Sequence, residues 1–186
     1  MENLQHQSER RVMSRIDAAL RINYQIISDE AALNDPYDPN FMLPRYFLLL
    51  SELDQFDAVI NHQLKQLGDD HAHIAHILAA INQKLNLING ALYDSMVQSV
   101  LPVPQAVNFS ENGLSFYSPR ALKPNTYIHL TLSHPDNHFH IATIAQVVYS
   151  REEISNYRIG AFFSTLLPQD RSKLAQCIQL HLQAQA

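Results

Sequence analysis

The chain is poor in cysteine, in glycine and in basic residues, and each shortage excludes a class of protein. Its one cysteine, Cys177, cannot form an internal disulfide, which fits a reducing compartment. Four glycines leave little room for a glycine-rich nucleotide loop, and no P-loop, GxSxG or HExxH motif occurs. A formal net charge of −5 does not suit nonspecific nucleic-acid binding, which needs a broad basic face. We therefore expect neither an enzyme nor a nucleic-acid-binding protein.

Long hydrophobic runs and metal-ligand patterns are also missing. The longest apolar stretch, near Tyr46–Leu50, is too short to span a bilayer, and no signal-peptide core is found near the N-terminus. We expect a cytoplasmic protein without membrane contact. The histidines at positions 71, 73 and 76 do not have the i, i+4 spacing of a ligand pair on a helix, so we expect no metal and no cofactor.

The chain does contain clear strand patterns near both ends. Leu20, Ile22, Tyr24 and Ile26 alternate with less apolar residues, which predicts a first strand. After residue 107, short strands are predicted at 114–117, 127–132, 140–149 and 158–163, separated by proline-containing turns. A helix at 169–183 ends the chain. Regularly spaced short strands indicate a small antiparallel barrel, so the predicted class is α+β.

Between the first strand and the later ones, the pattern changes to that of two helices. Apolar residues recur every three or four positions up to Leu67, and a second helix follows, capped by Asp69 or Asp70 and reaching about Ser99. The second helix carries a heptad seam with leucine at a and isoleucine at d: Ile74, Leu78, Ile81, Leu85, Ile88 and Leu92. This choice favours three or four strands over two.

A second apolar stripe on this helix can receive the preceding helix; it is formed by Ile77, Ala80, Leu87 and Ala91. An alternative to oligomerisation stays open, in which the two helices pack only on one another in a monomer.

The segment from Asn108 to Phe116 reads as a turn that holds a ligand. Asn108 and Ser110 offer short polar side chains, and Gly113 permits a positive φ and close backbone approach. A basic arm with arginines at positions 10, 11 and 15 precedes the first strand. Taken separately, the turn is also consistent with a turn and nothing more, and the arm with a solvated basic segment.

Together, the arm and the turn resemble the PilZ family, bacterial receptors for cyclic di-GMP. The family pattern is RxxxR before the first strand and then [D/N]xSxxG. The late segments 146–149 and 157–163 are similar to the family's last strands, and the resemblance covers about residues 9–28 and 104–167. It implies a barrel built from residues 9–28 and 104–186 and a cyclic di-GMP site formed by six residues: Arg10, Arg11, Arg15, Asn108, Ser110 and Gly113.

A helical hairpin after the first strand also resembles the tetramer-forming branch of that family. The resemblance implies a single domain over residues 1–186 with a helical oligomerisation insertion at 41–100, assembled as a homotetramer. Members of that branch can lose the ligand motifs, whereas this chain keeps them. The leading hypothesis is a non-catalytic cyclic di-GMP receptor that acts on an unknown downstream protein. The alternatives are an oligomeric scaffold with a vestigial site and, third, a hydrolase that uses histidine and aspartate.

Overall fold

The computed structural model describes residues 14–67, 71–99, 101–134 and 139–184. Arg10, Arg11 and the predicted capping residues Asp69 and Asp70 lie outside the described residues. The strands are β1 (Ile16–Ile27), β2 (Gln105–Ser110), β3 (Gly113–Ser118), β4 (Tyr127–His134), β5 (Phe139–Glu153) and β6 (Asn156–Thr165). The helices are α1 (Arg45–Gln66), α2 (Ala72–Ser99) and α3 (Pro168–Ala184), and a short 3-10 turn covers Ala31–Leu33.

The six strands close into an antiparallel barrel in the order β1-β2-β3-β6-β5-β4. Strand β1 pairs with β2 through its first half and with β4 through its second half, so it links the two sides of the barrel. The helical hairpin of α1 and α2 interrupts the chain between β1 and β2. This confirms the predicted α+β class, a small antiparallel barrel with an inserted two-helix hairpin and a C-terminal helix.

The barrel interior is filled by large apolar side chains that no solvent reaches. Leu20, Phe109, Phe116, Leu130 and Ile159 are each 0% exposed. Helix α3 adds three buried residues to the same cluster: Leu174, Cys177 and Ile178. Burial of this many apolar groups is the main stabilising term for a domain of this size, so the barrel forms a complete core within one chain.

Strand β2 is absent from the sequence prediction, in which the segment 108–116 is a turn that leads into the strand predicted at 114–117. In the structure these residues form a β-hairpin, and only Glu111 and Asn112 connect its strands. Val107 and Phe109 point into the core, at 1% and 0% exposed, and this burial fixes the segment as a strand.

The helical hairpin contacts the barrel where its first helix begins. Phe47, in the first turn of α1, is fully buried and meets the ring of His140 edge-on, with centroids 6.0 Å apart. Further along α1, Phe56 and Val59 are 64% and 59% exposed. Within the described residues, no helix is long and apolar enough to cross a membrane.

The heptad seam of α2 is exposed in the single chain. Its six residues are between 43% and 55% exposed, and three of them line a cavity of about 580 Å³ beside α1: Leu78, Ile81 and Leu85. The expectation that α1 packs on the stripe of Ile77 and Leu87 is wrong, since Leu87 is 71% exposed. The remaining members of that stripe, Ala80 and Ala91, present little apolar surface for a neighbouring helix to cover.

Candidate ligand site

The arm and the predicted turn meet at one hydrogen-bonded group on the barrel surface. Arg15, the residue before β1, donates from a guanidinium nitrogen to Oδ1 of Asn108 at 3.2 Å. The amide nitrogen of Asn108 in turn donates to Oδ1 of Asp17 at 3.0 Å. Asp17 and Asn108 are direct cross-strand partners, so the pairing of β1 with β2 creates this group. Two motifs 93 residues apart are thereby brought into contact.

Ser110 lies at the end of β2 and is 4% exposed. Its hydroxyl donates to the carbonyl of Gly113 and accepts from the backbone N–H of Asn112, both at 3.4 Å. These are long hydrogen bonds, and both are local to the connection between β2 and β3. In the described chain, Ser110 therefore shapes the turn and presents little surface to a ligand.

Gly113 does not have the positive φ that the sequence analysis allows for it. It is needed for close approach instead, because β3 and β6 pass each other here. A Cβ on Gly113 would lie 2.9 Å from the Cα of Phe162 and closer still to the carbonyl oxygen of Ala161. Real Cβ atoms essentially never approach backbone this closely. Gly113 is thus required by the barrel itself, whatever binds beside it.

The C-terminal helix holds the tip of the same hairpin, which the sequence does not reveal. Arg171 of α3 donates to the carbonyl of Glu111 at 3.0 Å and to Oδ1 of Asn112 at 3.3 Å. The carbonyl of Asn112 also accepts from the backbone N–H of Phe163 in β6. These three bonds fix the loop between β2 and β3 before any ligand arrives.

Arg21 shares the N-terminal region with the basic arm but is not available to a ligand. It is 6% exposed, donates to the carbonyl of Pro102 and lies over the ring of Tyr93 at 6.0 Å. Its role is to tie β1 to the connection between α2 and β2. The accessible positive charge at the described site therefore comes from Arg15, which is exposed.

A second polar group lies where α1 meets β5. Nε2 of His140 is 3.5 Å from Oδ2 of Asp54, and Nδ1 of His140 is 2.8 Å from Oγ of Ser133. Burial raises the pKa of Asp54 to about 7, while the Lys173 ammonium lowers it and the Asp57 carboxylate raises it. The Asp54 carboxyl group therefore titrates near neutral pH, and it lies where helix α1 packs on strand β5. Among the described residues, no group of three or more His, Cys, Asp or Glu side chains could hold a metal ion.

Comparison with known proteins agrees with this architecture. The sequence model of the PilZ domain matches residues 96–180. No curated protein matches the chain. Among solved structures, a pathogenic protein from Xanthomonas campestris is similar over 99% of this chain and 98% of its own, with 17% identity and a TM-score of 0.61; it is a tetrameric PilZ domain self-assembled via a helical bundle. The inhibitor of motility MotI/DgrA from Bacillus subtilis covers 44% of this chain and 43% of its own, with 18% identity and a TM-score of 0.38.

Proposed function

We propose, on the premise that residues 96–180 are a PilZ domain, that the chain is a non-catalytic receptor for cyclic di-GMP. The observation that carries the proposal is the hydrogen bond from Arg15 to Asn108, because it joins the RxxxR arm to the NxSxxG hairpin. A ligand that needs both motifs would find them already side by side.

The chemistry of the arm suits this nucleotide. Cyclic di-GMP carries two phosphates and two guanines, and both phosphate oxygens and the guanine O6 and N7 atoms accept two parallel bonds from an arginine fork. Arg15 is exposed and, within the described residues, bonded at one nitrogen, which leaves further donors for a ligand. Arg10 and Arg11 precede it by five and four residues, respectively, and would add two more guanidinium groups. No metal or cofactor is part of the proposal.

We further propose that four chains assemble through the α2 seam. Six large aliphatic side chains on one helix face are about half exposed, which is far more than a stable monomer usually leaves in a single stripe. Asn82 supports the same idea, because it is 7% exposed and its Oδ1 has no hydrogen-bond partner among the described residues. It lines the cavity between α1 and α2, where a helix of another copy would supply a donor.

The domain organisation proposed with this assembly is a single PilZ-like domain over residues 1–186. Its barrel spans 9–28 and 104–186, and the insertion at 41–100 carries the oligomerisation helices. A receptor without catalytic groups has to act on a further protein, so we include an unidentified downstream partner in the proposal.

An oligomeric scaffold with a vestigial site is the second candidate, and one observation favours it. The Asn108 amide is already satisfied by Arg15 and Asp17, and the Asp17 carboxylate would repel a phosphate placed beside it. If this group is a finished structural contact, the motif residues bind nothing.

Calorimetric titration of the purified protein with cyclic di-GMP separates the two candidates. The receptor gives saturable heat with cyclic di-GMP and none with cyclic di-AMP, which has the same phosphates but lacks guanine O6. A folded, assembled protein that gives no heat with cyclic di-GMP would leave the scaffold as the function.

A further inference from the structure

Arg158 of β6 is held in a fixed position on the outer face of the barrel. Its Nε and one terminal nitrogen donate to Oγ of Ser115 at 3.1 and 2.8 Å, and the other terminal nitrogen donates to the Tyr117 hydroxyl at 2.9 Å. The guanidinium carbon lies 4.8 Å from the centroid of the Tyr117 ring. A flexible side chain that is bonded at three nitrogens and stacked on a ring has lost most of its rotamer freedom before any ligand binds.

Among the described residues, no carboxylate forms an ion pair with Arg158. The ion pair of Lys173 with Asp170 and the contact of His140 with Asp54 lie elsewhere. A guanidinium has five N–H donors, of which these bonds use three. Arg151 stands directly opposite Arg158 in the pairing of β5 with β6, and like charges placed opposite each other destabilise a sheet. A partly buried, immobilised cation beside a second cation is the arrangement that an anion would stabilise.

This cation lies on the same face of the sheet as the candidate ligand site, two residues along β6 from its row of cross-strand pairs. Asn108 pairs directly with Ser115, and Ser115 pairs directly with Gly160, two residues from Arg158. The distance from β2 across β3 to β6 is two strand spacings, about 10 Å, and the step from Gly160 to Arg158 adds about 7 Å along the strand. A dinucleotide with two bases and two phosphates can span that distance across a sheet face.

We infer that Arg158 is a second nucleotide-contacting arginine, which binds acceptor oxygens of the same cyclic di-GMP that Arg15 engages. Tyr117 and Ser115 are positioning residues, since they hold the guanidinium and do not touch the ligand. The inference rests on the proposed receptor function and extends the site from the motif hairpin to β6. Arg158 belongs to neither the RxxxR motif nor the NxSxxG motif. Its position relative to Asn108 follows from the strand register, which a sequence motif does not encode.

The test is a calorimetric titration of Arg158→Gln with cyclic di-GMP, next to Arg120→Gln as the matched control. Arg120 is an exposed arginine that follows the end of β3, so its variant loses the same charge without the proposed contact. Loss of a charge-assisted contact predicts an affinity at least about tenfold weaker for Arg158→Gln, and an affinity within about twofold of wild type for the control. Tyr117→Phe should weaken binding less than Arg158→Gln, because the guanidinium is loosened but retained.

Two further measurements distinguish failure of this inference from failure of the proposed receptor function. Wild-type affinity in a folded Arg158→Gln variant, with binding weakened in Arg15→Ala, would overturn the inference and leave the receptor standing; a wild-type protein that binds nothing would overturn the receptor itself. If Arg158→Gln does not fold, the Nε–H resonance of Arg158 is followed in the wild-type protein by NMR, assigned with Arg158→Lys. It should shift as cyclic di-GMP is added, and an unchanged resonance at saturation would refute the contact.

Discussion

The barrel and the helical hairpin differ in how far their apolar side chains are buried. In the barrel, Leu20, Phe109 and Phe116 are completely buried, whereas the six seam residues of α2 are 43% to 55% exposed. Leucine and isoleucine make up a larger share of the helical hairpin than of the six-stranded barrel, so composition does not explain the contrast. The barrel strands close on themselves, while two helices side by side cover only part of each other. The barrel core is therefore complete in a single chain, and the hairpin leaves exposed the apolar face through which we propose that it assembles.

The largest expected effect is loss of the proposed assembly through the helical hairpin. Replacing Ile81 and Leu85 by Asn places two polar amides in the proposed seam, where they would be desolvated without partners. We expect the particle measured by light scattering to fall from about four chains to one chain of 21.2 kDa. Leu87→Asn is the matched control, because Leu87 is 71% exposed and outside the seam. A wild-type mass equal to one chain would contradict the assembly.

The next effect tests how tightly the barrel closes, through its two strand glycines. Gly113→Ala forces a Cβ into the backbone of β6, which overpacks the barrel and should cost about 3 kcal/mol, or roughly 6 to 12 °C in Tm. At Gly160 the nearest atoms to an added Cβ belong to the ring of Tyr149, with Cδ1 at 2.7 Å and Cε1 and Cζ closer still, but this is a side chain that is 42% exposed and can rotate away, not backbone. Gly160→Ala should therefore lower Tm much less. Equal losses in the two variants would contradict this account of the closure.

A smaller effect concerns binding by the barrel without a change in folding. Arg15→Ala removes charge-assisted hydrogen bonds worth about 1.5 to 3 kcal/mol, so affinity for cyclic di-GMP should fall roughly 10- to 150-fold. Arg11→Ala is expected to act in the same direction. Thermal unfolding should barely change, since Arg15 is exposed. Arg45→Ala, an exposed arginine at the start of α1, serves as the control and should bind as wild type does. Unchanged affinity in both arm variants would remove the arm from the site.

A pH-dependent effect is expected where the two regions meet, at Asp54. Its pKa is raised from 3.8 to about 7 in the folded chain, so the folded state keeps a proton that the unfolded state releases between about pH 4 and pH 7. Stability should fall as pH rises through this window and level off above it. Asp54→Asn cannot titrate, and it should match wild type in Tm near pH 4 and exceed it near pH 8. Glu52 is an exposed residue of the same helix, and Glu52→Gln is the control, which should show no such pH-dependent difference in Tm from wild type. A Tm difference between Asp54→Asn and wild type that is the same at pH 4 and pH 8 would contradict the raised pKa.

The sequence predicts most of the fold because its signals are local. The heptad spacing of α2, the proline-separated strands after residue 107 and the helix at the C-terminus all depend on residues within a few positions of each other. Strand β2 is not predicted because Val107 and Phe109 are its only two buried apolar residues, and the polar residues between and after them resemble a turn. Short strands beside a turn motif are difficult to separate from the turn itself.

The candidate site is predictable only in part, for the same reason. The motif residues Arg15, Asn108 and Ser110 are recognisable in the sequence. Their spatial arrangement follows from the pairing of β1 with β2, which the sequence does not reveal. Arg158 bonds to Ser115 and Arg171 bonds to Glu111 across 43 and 60 residues of sequence, and no local pattern encodes such contacts. Arg21 illustrates the opposite case, since it is near the arm in sequence and buried elsewhere in the fold.

The central claim is that the barrel binds cyclic di-GMP by itself and that the hairpin only sets the number of copies. The most direct measurement is a calorimetric titration of the Ile81→Asn/Leu85→Asn variant beside wild type, with circular dichroism confirming that the variant is folded. If each chain completes its own site, the dissociated variant binds within about tenfold of wild type, or ~1.4 kcal/mol. A folded, dissociated variant that binds no cyclic di-GMP while the tetramer does would show that neighbouring chains complete the site, and the separation of roles would be wrong.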